Sequence, residues 1–307
     1  MFSVPYTAVF ILSYGLTVFS IYISWSLFTK NTRCFTYFLV AGRVLNCLLL
    51  FMWNIVLQPE FLDQLMCLRM HGVASTLPKY VVHLCVCVAL ICICTISLYY
   101  THSAVYYLLV ICFRDMEKKL FSGKYLSIAF FIYLLNGTLI FGLVYESVNL
   151  EAFPTENNVV CYMLSPQKHS KYVAMFTCAY VGFLIIISMA MMLLLFRFLQ
   201  RNQTDANKKE IKAVVRTMTI MGLAPFTMAA LPFLSIFTWS LFVSSSSALT
   251  LFSNISSHVA MMHYGVLIIV ALLLLKPYRS AVLQMTGRKK VERVFIRTRT
   301  MAVSCAQ

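Results

Sequence analysis

Four titratable side chains stand where an apolar sequence has little use for them: Lys79 and His83, then His258 and His263. Lys79 and His83 are four apart, which puts them one turn apart on one face of a helix. His258 and His263 fall at the start and further along the last apolar run of the chain. Such groups can hydrogen-bond a small molecule in a cavity that is otherwise greasy, the usual composition of a ligand pocket. With Tyr80, Phe233 and Met262 they give a candidate ligand-binding set: Lys79, Tyr80, His83, Phe233, His258, Met262 and His263. Each alone reads more simply as an interface position or a satisfied interhelical hydrogen bond; the case for a site is collective.

His83 also opens a sulfur-rich stretch with Cys85, Cys87, Cys92 and Cys94. On a helix Cys85 and Cys87 point to different faces, unlike the paired cysteines of a zinc knuckle. Residues 85 and 92 share a face, as do 87 and 94, but no tetrahedral set forms without other helices. These thiols read as small packing residues, and neither a metal nor a cofactor is expected. Nor is catalysis. All ten Asp and Glu lie outside the apolar runs, and no Gly-x-Ser-x-Gly, His-Glu-x-x-His or phosphate-cradling glycine loop occurs.

Composition says what must position these residues. Hydrophobic residues make up 61% of the 307 and charged residues 11%, against about half and about a quarter in a soluble domain. So few charges cannot cover a protein surface in water; they suffice where lipid is the solvent. Helices that cross a bilayer need roughly 20 apolar residues. Seven such stretches occur: Thr7–Phe28, Thr36–Leu57, Thr76–Tyr100, Tyr125–Tyr145, Tyr172–Phe196, Val214–Phe242 and Ser256–Leu275. They lack the short alternating pattern of barrel strands. The expected fold is an all-α, integral membrane bundle of seven transmembrane helices over residues 1–279, with a short basic tail, 280–307. No basic leader precedes the first span, so it is expected to insert as an uncleaved anchor.

Charge sets the orientation, because basic residues favour the cytoplasmic side of short loops. Twenty of the 25 Lys and Arg fall after spans one, three, five and seven. Among them are Arg114, Lys118, Lys119, Lys208, Lys209, Lys212 and Arg216. The N-terminus is therefore expected outside. The net charge of +15 suits anionic lipid headgroups and a cytoplasmic partner, with no need of nucleic acid. Arg43 lies inside span two, about two turns from the cytoplasmic boundary, and is expected to snorkel to it.

Most of the eleven cysteines lie in spans. Cys67 and Cys161 alone sit in two outer loops, where the compartment is oxidising. A disulfide between them would tether the second outer loop to the entrance of span three; bonded and free remain open, since a bond needs Cα atoms within about 7 Å. Of three Asn-x-Ser/Thr sequons, Asn136 is placed inside span four and Asn202 in the cytoplasm. Asn254, in the loop before span seven, is the glycosylation candidate.

Two proline motifs shape the last two spans. Pro225 and Pro232 both remove a backbone donor within span six, kinking it into either a hinge or a static bend. At the end of span seven the eleven residues Gly265 to Leu275 carry no polar side chain and stop at Lys276, Pro277, Tyr278 and Arg279. Pro277 loosens the helix, while the two cations and the tyrosine suit the headgroup region. An amphipathic helix, Ser280–Met285, is expected to follow under the membrane.

These motifs carry a resemblance. The chain is similar to the nematode serpentine chemoreceptors, the Srh/Sri/Str-like superfamily of seven-transmembrane G-protein-coupled receptors. Their span seven carries a mid-span His and ends in His-Lys-Pro-Tyr-Arg; here His263 is followed by twelve residues and then Lys276-Pro277-Tyr278-Arg279. Their span six has Ile-Pro, six residues, then Pro; here it is Ala224-Pro225, six residues, then Pro232. The stretch from His71 to Tyr80 looks more loosely like the family's Gly-Val-Pro segment. Leu275 replaces the family's His, and Thr101-His102 stands where many members have an acidic-Asn-Arg group, which leaves no arginine for an activation latch.

The resemblance implies a chemosensory receptor in the plasma membrane, most specifically of a sensory cilium. Such a protein binds a small-molecule ligand from outside and activates a heterotrimeric G protein through the basic inner residues named above. A small transporter or a ligand-gated channel is the alternative. The first would show duplicated halves and mid-membrane polar groups on unwound helices, and neither is evident. The second, on the pattern of insect chemoreceptors, would have a cytoplasmic N-terminus.

Overall fold

The computed structural model describes residues 4–26, 33–62, 67–112, 119–120, 122–148, 156–162, 168–201, 223, 225–242, 247–274, 279 and 282–283. Its helices are α1 (Val4–Ser26), α2 (Arg33–Phe51), α3 (Lys79–Cys112), α4 (Gly123–Glu146), α5 (Lys168–Arg201), α6 (Leu231–Phe242) and α7 (Ser247–Leu274). All but α6 are long and apolar enough to cross a membrane. α6 covers 12 residues and is preceded by a π turn, Phe226–Ala230; the start of the expected sixth span at Val214 lies outside the described residues.

Helices α3 and α7 each outrun one end of the expected span by nine residues or more, for one physical reason. A hydroxyl in a helix can return its hydrogen bond to the carbonyl one turn back, so a polar residue lowers hydropathy without ending the helix. In α3 the Thr101 hydroxyl donates to Ser97 O at 3.1 Å and the Ser103 hydroxyl to Tyr99 O at 2.8 Å. The helix runs on past Tyr100 to Cys112. α7 begins at Ser247, nine residues ahead of the expected Ser256, through the hydroxyl-rich stretch that ends at Ser257.

α2 widens at its end into a π turn, Met52–Leu57. The Gln58 N–H closes it on Trp53 O at 2.9 Å, and Gln58 takes the left-handed conformation, φ 45°. Its side chain is fully buried and donates to Asn54 O at 2.8 Å, which helps to offset the roughly 1–2 kcal/mol that a side chain pays there.

The loops at this end are not all coil, a correction to the all-helical expectation. Three short strands, β1 (Pro59–Phe61), β2 (Cys67–Met70) and β3 (Val159–Cys161), form an antiparallel sheet in that order. Glu60 stands opposite Arg69, and Cys67 opposite Cys161. Cys67 and Cys161 are joined by a disulfide. Gly72 then passes so close to the π turn that a Cβ would run into the carbonyl oxygens of Ile55 and Val56.

The main apolar core lies beneath this sheet and includes Tyr6, Leu50, Trp53, Leu57, Met70, Val82, Val86 and Met261. α3 packs against α2, α4 and α5, and α1 sits between α2 and α7. α4 and α5 bury much less of their spans than α3 and α7 do. Of the tail, only Val282 and Leu283 are described, so the expected amphipathic helix falls outside the described residues.

Candidate functional site

Four consecutive residues of α3 each engage a different helix. Successive helical residues turn by about 100°, so four in a row sweep the whole circumference. Tyr99 lies against Gly42 of α2, where an added Cβ would enter its ring. Tyr100 places its hydroxyl 3.1 Å from His263 Nε2 on α7. Thr101 Oγ1 is 2.9 Å from Ser188 Oγ on α5, and His102 Nδ1 is 3.2 Å from the Tyr133 hydroxyl on α4. Nearer the sheet, Asn136 of α4 donates to Thr95 Oγ1 at 3.3 Å and accepts from the Tyr180 hydroxyl of α5. Asn136 is buried, as its sequence position implied.

His263 shows how its ring is set. Its Nδ1 faces the Ala260 carbonyl, which has no proton to give, so Nδ1 carries one. In the neutral ring Nε2 is then the acceptor for the Tyr100 hydroxyl. From sequence, Thr101 and His102 registered only as a departure from a family pattern. The available signal was four ring or hydroxyl side chains in a row inside an apolar helix.

His83 is fully buried one turn inside α3. Its Nδ1 is 3.1 Å from the Tyr162 hydroxyl, and Cys87 Sγ approaches its Nε2 at 3.7 Å. The rings of Tyr145 and Tyr162 stand 5.6 and 5.7 Å away. Tyr162 directly follows the disulfide-bonded Cys161. Burial holds the Tyr162 phenol well above its ordinary pKa, so it remains a neutral hydrogen-bonding group at physiological pH.

His258, Met262 and His263 do not gather around His83. Lys79 is half-buried and Tyr80 exposed at the start of α3. His258 packs its ring 4.3 Å from that of Tyr6 on α1, and its Nδ1–H donates to Asn254 O at 2.7 Å; its Nε2 is buried with no hydrogen-bond partner. Met262 is half-buried against the main core. Phe233 lies on α6, with its side chain outside the described residues. The three histidines thus occupy three separate places, His83 beneath Tyr162, His258 beside Tyr6 and His263 beside Tyr100. The tyrosines that meet His83 and His263 come from elements far off in sequence.

One further expectation is corrected. Asn254 is not in a loop but within α7, where its Oδ1 accepts from Phe61 N at 2.9 Å and its Nδ2 donates to Phe61 O at 3.4 Å. The amide expected to carry a glycan instead pins the edge of β1. Arg43 of α2 is buried and reaches the last turns of α1, donating to Ser20 O and Ser24 Oγ. Ser13, Thr17, Ser20 and Ser24 recur at three- and four-residue intervals and give α1 one buried hydroxyl face.

At α6 the prolines accompany the π turn. Pro225 is buried at its start, and the Leu231 N–H reaches back to Phe226 O. Lys119 and Arg279 are exposed. Arg114, Lys118, Lys208, Lys209, Lys212, Arg216, Lys276, Pro277 and Tyr278 lie outside the described residues. Among the described residues no three His, Cys, Asp or Glu side chains converge as metal ligands would. Compared with known proteins, the chain matches no family model and no curated protein.

Proposed function

We propose that this chain is a seven-helix chemosensory receptor of the plasma membrane, coupled to a heterotrimeric G protein. The observation that carries the reading is the pair of motifs, Pro225 with Pro232 and Lys276 to Arg279, on a chain whose basic residues segregate to alternate loops. The long apolar helices support a multi-pass arrangement. The partly described sixth segment makes the seventh span, and the sheet end faces outside. A small external molecule binds one packing of the bundle better than another and shifts the population by that difference in affinity. The α3 residues Tyr99 to His102, each on a different neighbour, give such a shift a physical route, because α3 cannot turn without disturbing four interfaces at once. The inner face, including Arg114, Lys118, Lys119, Lys208, Lys209, Lys212 and Arg216, then meets the Gα subunit.

The experiment is agonist-stimulated guanine-nucleotide exchange on a panel of nematode Gα subunits with the receptor reconstituted in lipid. Exchange that rises with a small-molecule agonist is the expected result; its absence with every Gα sinks the coupling. An epitope at Met1 is expected to be reachable on intact cells. Access only after permeabilisation would point to the inverted topology of a ligand-gated channel.

A further inference from the structure

We infer that the slot beside His83 is a binding site for small phenols, and that Tyr162 is its built-in occupant. Tyr162 belongs to neither helix that frames the slot. It is the first residue after β3, brought there by the loop strand whose neighbour Cys161 is bonded to Cys67. Its ring packs against both the main core and the smaller cluster of Cys87, Cys94, Ile140 and Val144 between α3 and α4. The slot is therefore filled by a side chain that the bundle borrows from its cap.

The chemistry of the slot selects its occupant. Aromatic and thiol groups of α3 and α4 form its walls, and His83, with no exposure of its own, supplies the ring nitrogen that pairs with the phenol. A ring of this size without a hydroxyl leaves that buried nitrogen only the weak Cys87 thiol at 3.9 Å. A hydroxyl without the ring leaves the walls unfilled. A small phenol meets both needs once Tyr162 is out of the slot. The inference rests on the receptor reading for its signalling consequence, not for binding.

The test is side-chain excision. Tyr162→Gly, purified full-length in lipid nanodiscs, is titrated with p-cresol, which is the excised side chain, and with toluene, which lacks the hydroxyl. Empty nanodiscs correct for partitioning. Expected are p-cresol affinity at least about tenfold above that of the unsubstituted protein, and about tenfold above toluene in the variant, the worth of one hydrogen bond to a buried group. Adding His83→Leu is expected to erase the preference over toluene. Equal binding by Tyr162→Gly and the unsubstituted protein, or no preference for p-cresol, overturns the inference. If Tyr162→Gly does not fold alone, it is expressed with each compound in the medium. Recovery of folded protein by p-cresol but not by toluene supports the slot, and recovery by neither or by both overturns it. Binding without nucleotide exchange on any Gα leaves the slot standing and removes the receptor reading.

Discussion

Gly72 and Gly15 look alike in the sequence and differ completely in what surrounds them. A Cβ on Gly72 would meet the backbone carbonyls of Ile55 and Val56, whereas one on Gly15 would meet nothing within 4 Å. Backbone oxygens in a π turn closed by its own hydrogen bond cannot swing aside as a side-chain tip can. Gly72→Ala is therefore expected to lower stability by about 2 kcal/mol, within the range for overpacking. Gly15→Ala, in mid-helix and in open space, is expected to be neutral or to stabilise by up to about 1 kcal/mol. Thermal unfolding of the two variants in the same detergent checks both. Equal midpoints would show that the loop after β2 does not pass against α2 as described.

At the scale of elements, α3 is the member that the others share, and the Tyr100–His263 hydrogen bond is its link to α7. Interhelical hydrogen bonds of this kind average about 0.6 kcal/mol and reach about 1.7 kcal/mol in a membrane. A cycle of Tyr100→Phe, His263→Leu and the double variant is expected to give a coupling of about 1 kcal/mol in unfolding free energy. A coupling of zero would leave the two residues as neighbours only. Which elements exist was largely legible in the sequence, because apolar length and the absence of acidic residues from the runs mark the helices directly. Their ends were less so. Hydroxyls at Thr101 and Ser103 in α3, and at Ser247, Thr250 and Ser253 in α7, depress hydropathy without ending the helix, so both read as shorter than they are. The sheet was missed because strands of three and four residues leave no periodicity to read, and the pairing of β2 with β3 joins residues some ninety positions apart. The partners of the histidines were missed for the same reason. That His83 needs a hydrogen bond follows from its place in an apolar run; that Tyr162 supplies it depends on where a distant loop is tied.

For the whole molecule, the helices present a surface suited to hydrocarbon. Phe130 is 69% exposed, Leu135 57% and Ile186 68%, on two helices that bury little of their spans. Large apolar side chains displayed along entire helices would drive aggregation in water, but in hydrocarbon they cost nothing. The reading therefore makes a depth-dependent demand. Leu135 stands midway along α4 and Tyr125 in its first turn. A lysine at the bilayer centre costs roughly 2.5–3.5 kcal/mol on insertion scales, whereas one near the end of a span reaches the headgroups. Leu135→Lys is expected to cut the yield of folded, membrane-inserted protein severalfold, and Tyr125→Lys to leave it nearly unchanged. If the exposed face of α4 met water, both substitutions would fall within about 0.5 kcal/mol of neutral, as surface changes do. Membrane-fraction yield with thermal unfolding distinguishes the two patterns. Two equal, mild effects would mean that α4 does not cross the bilayer, and the alternation of loops that sets the orientation of the chain would go with it.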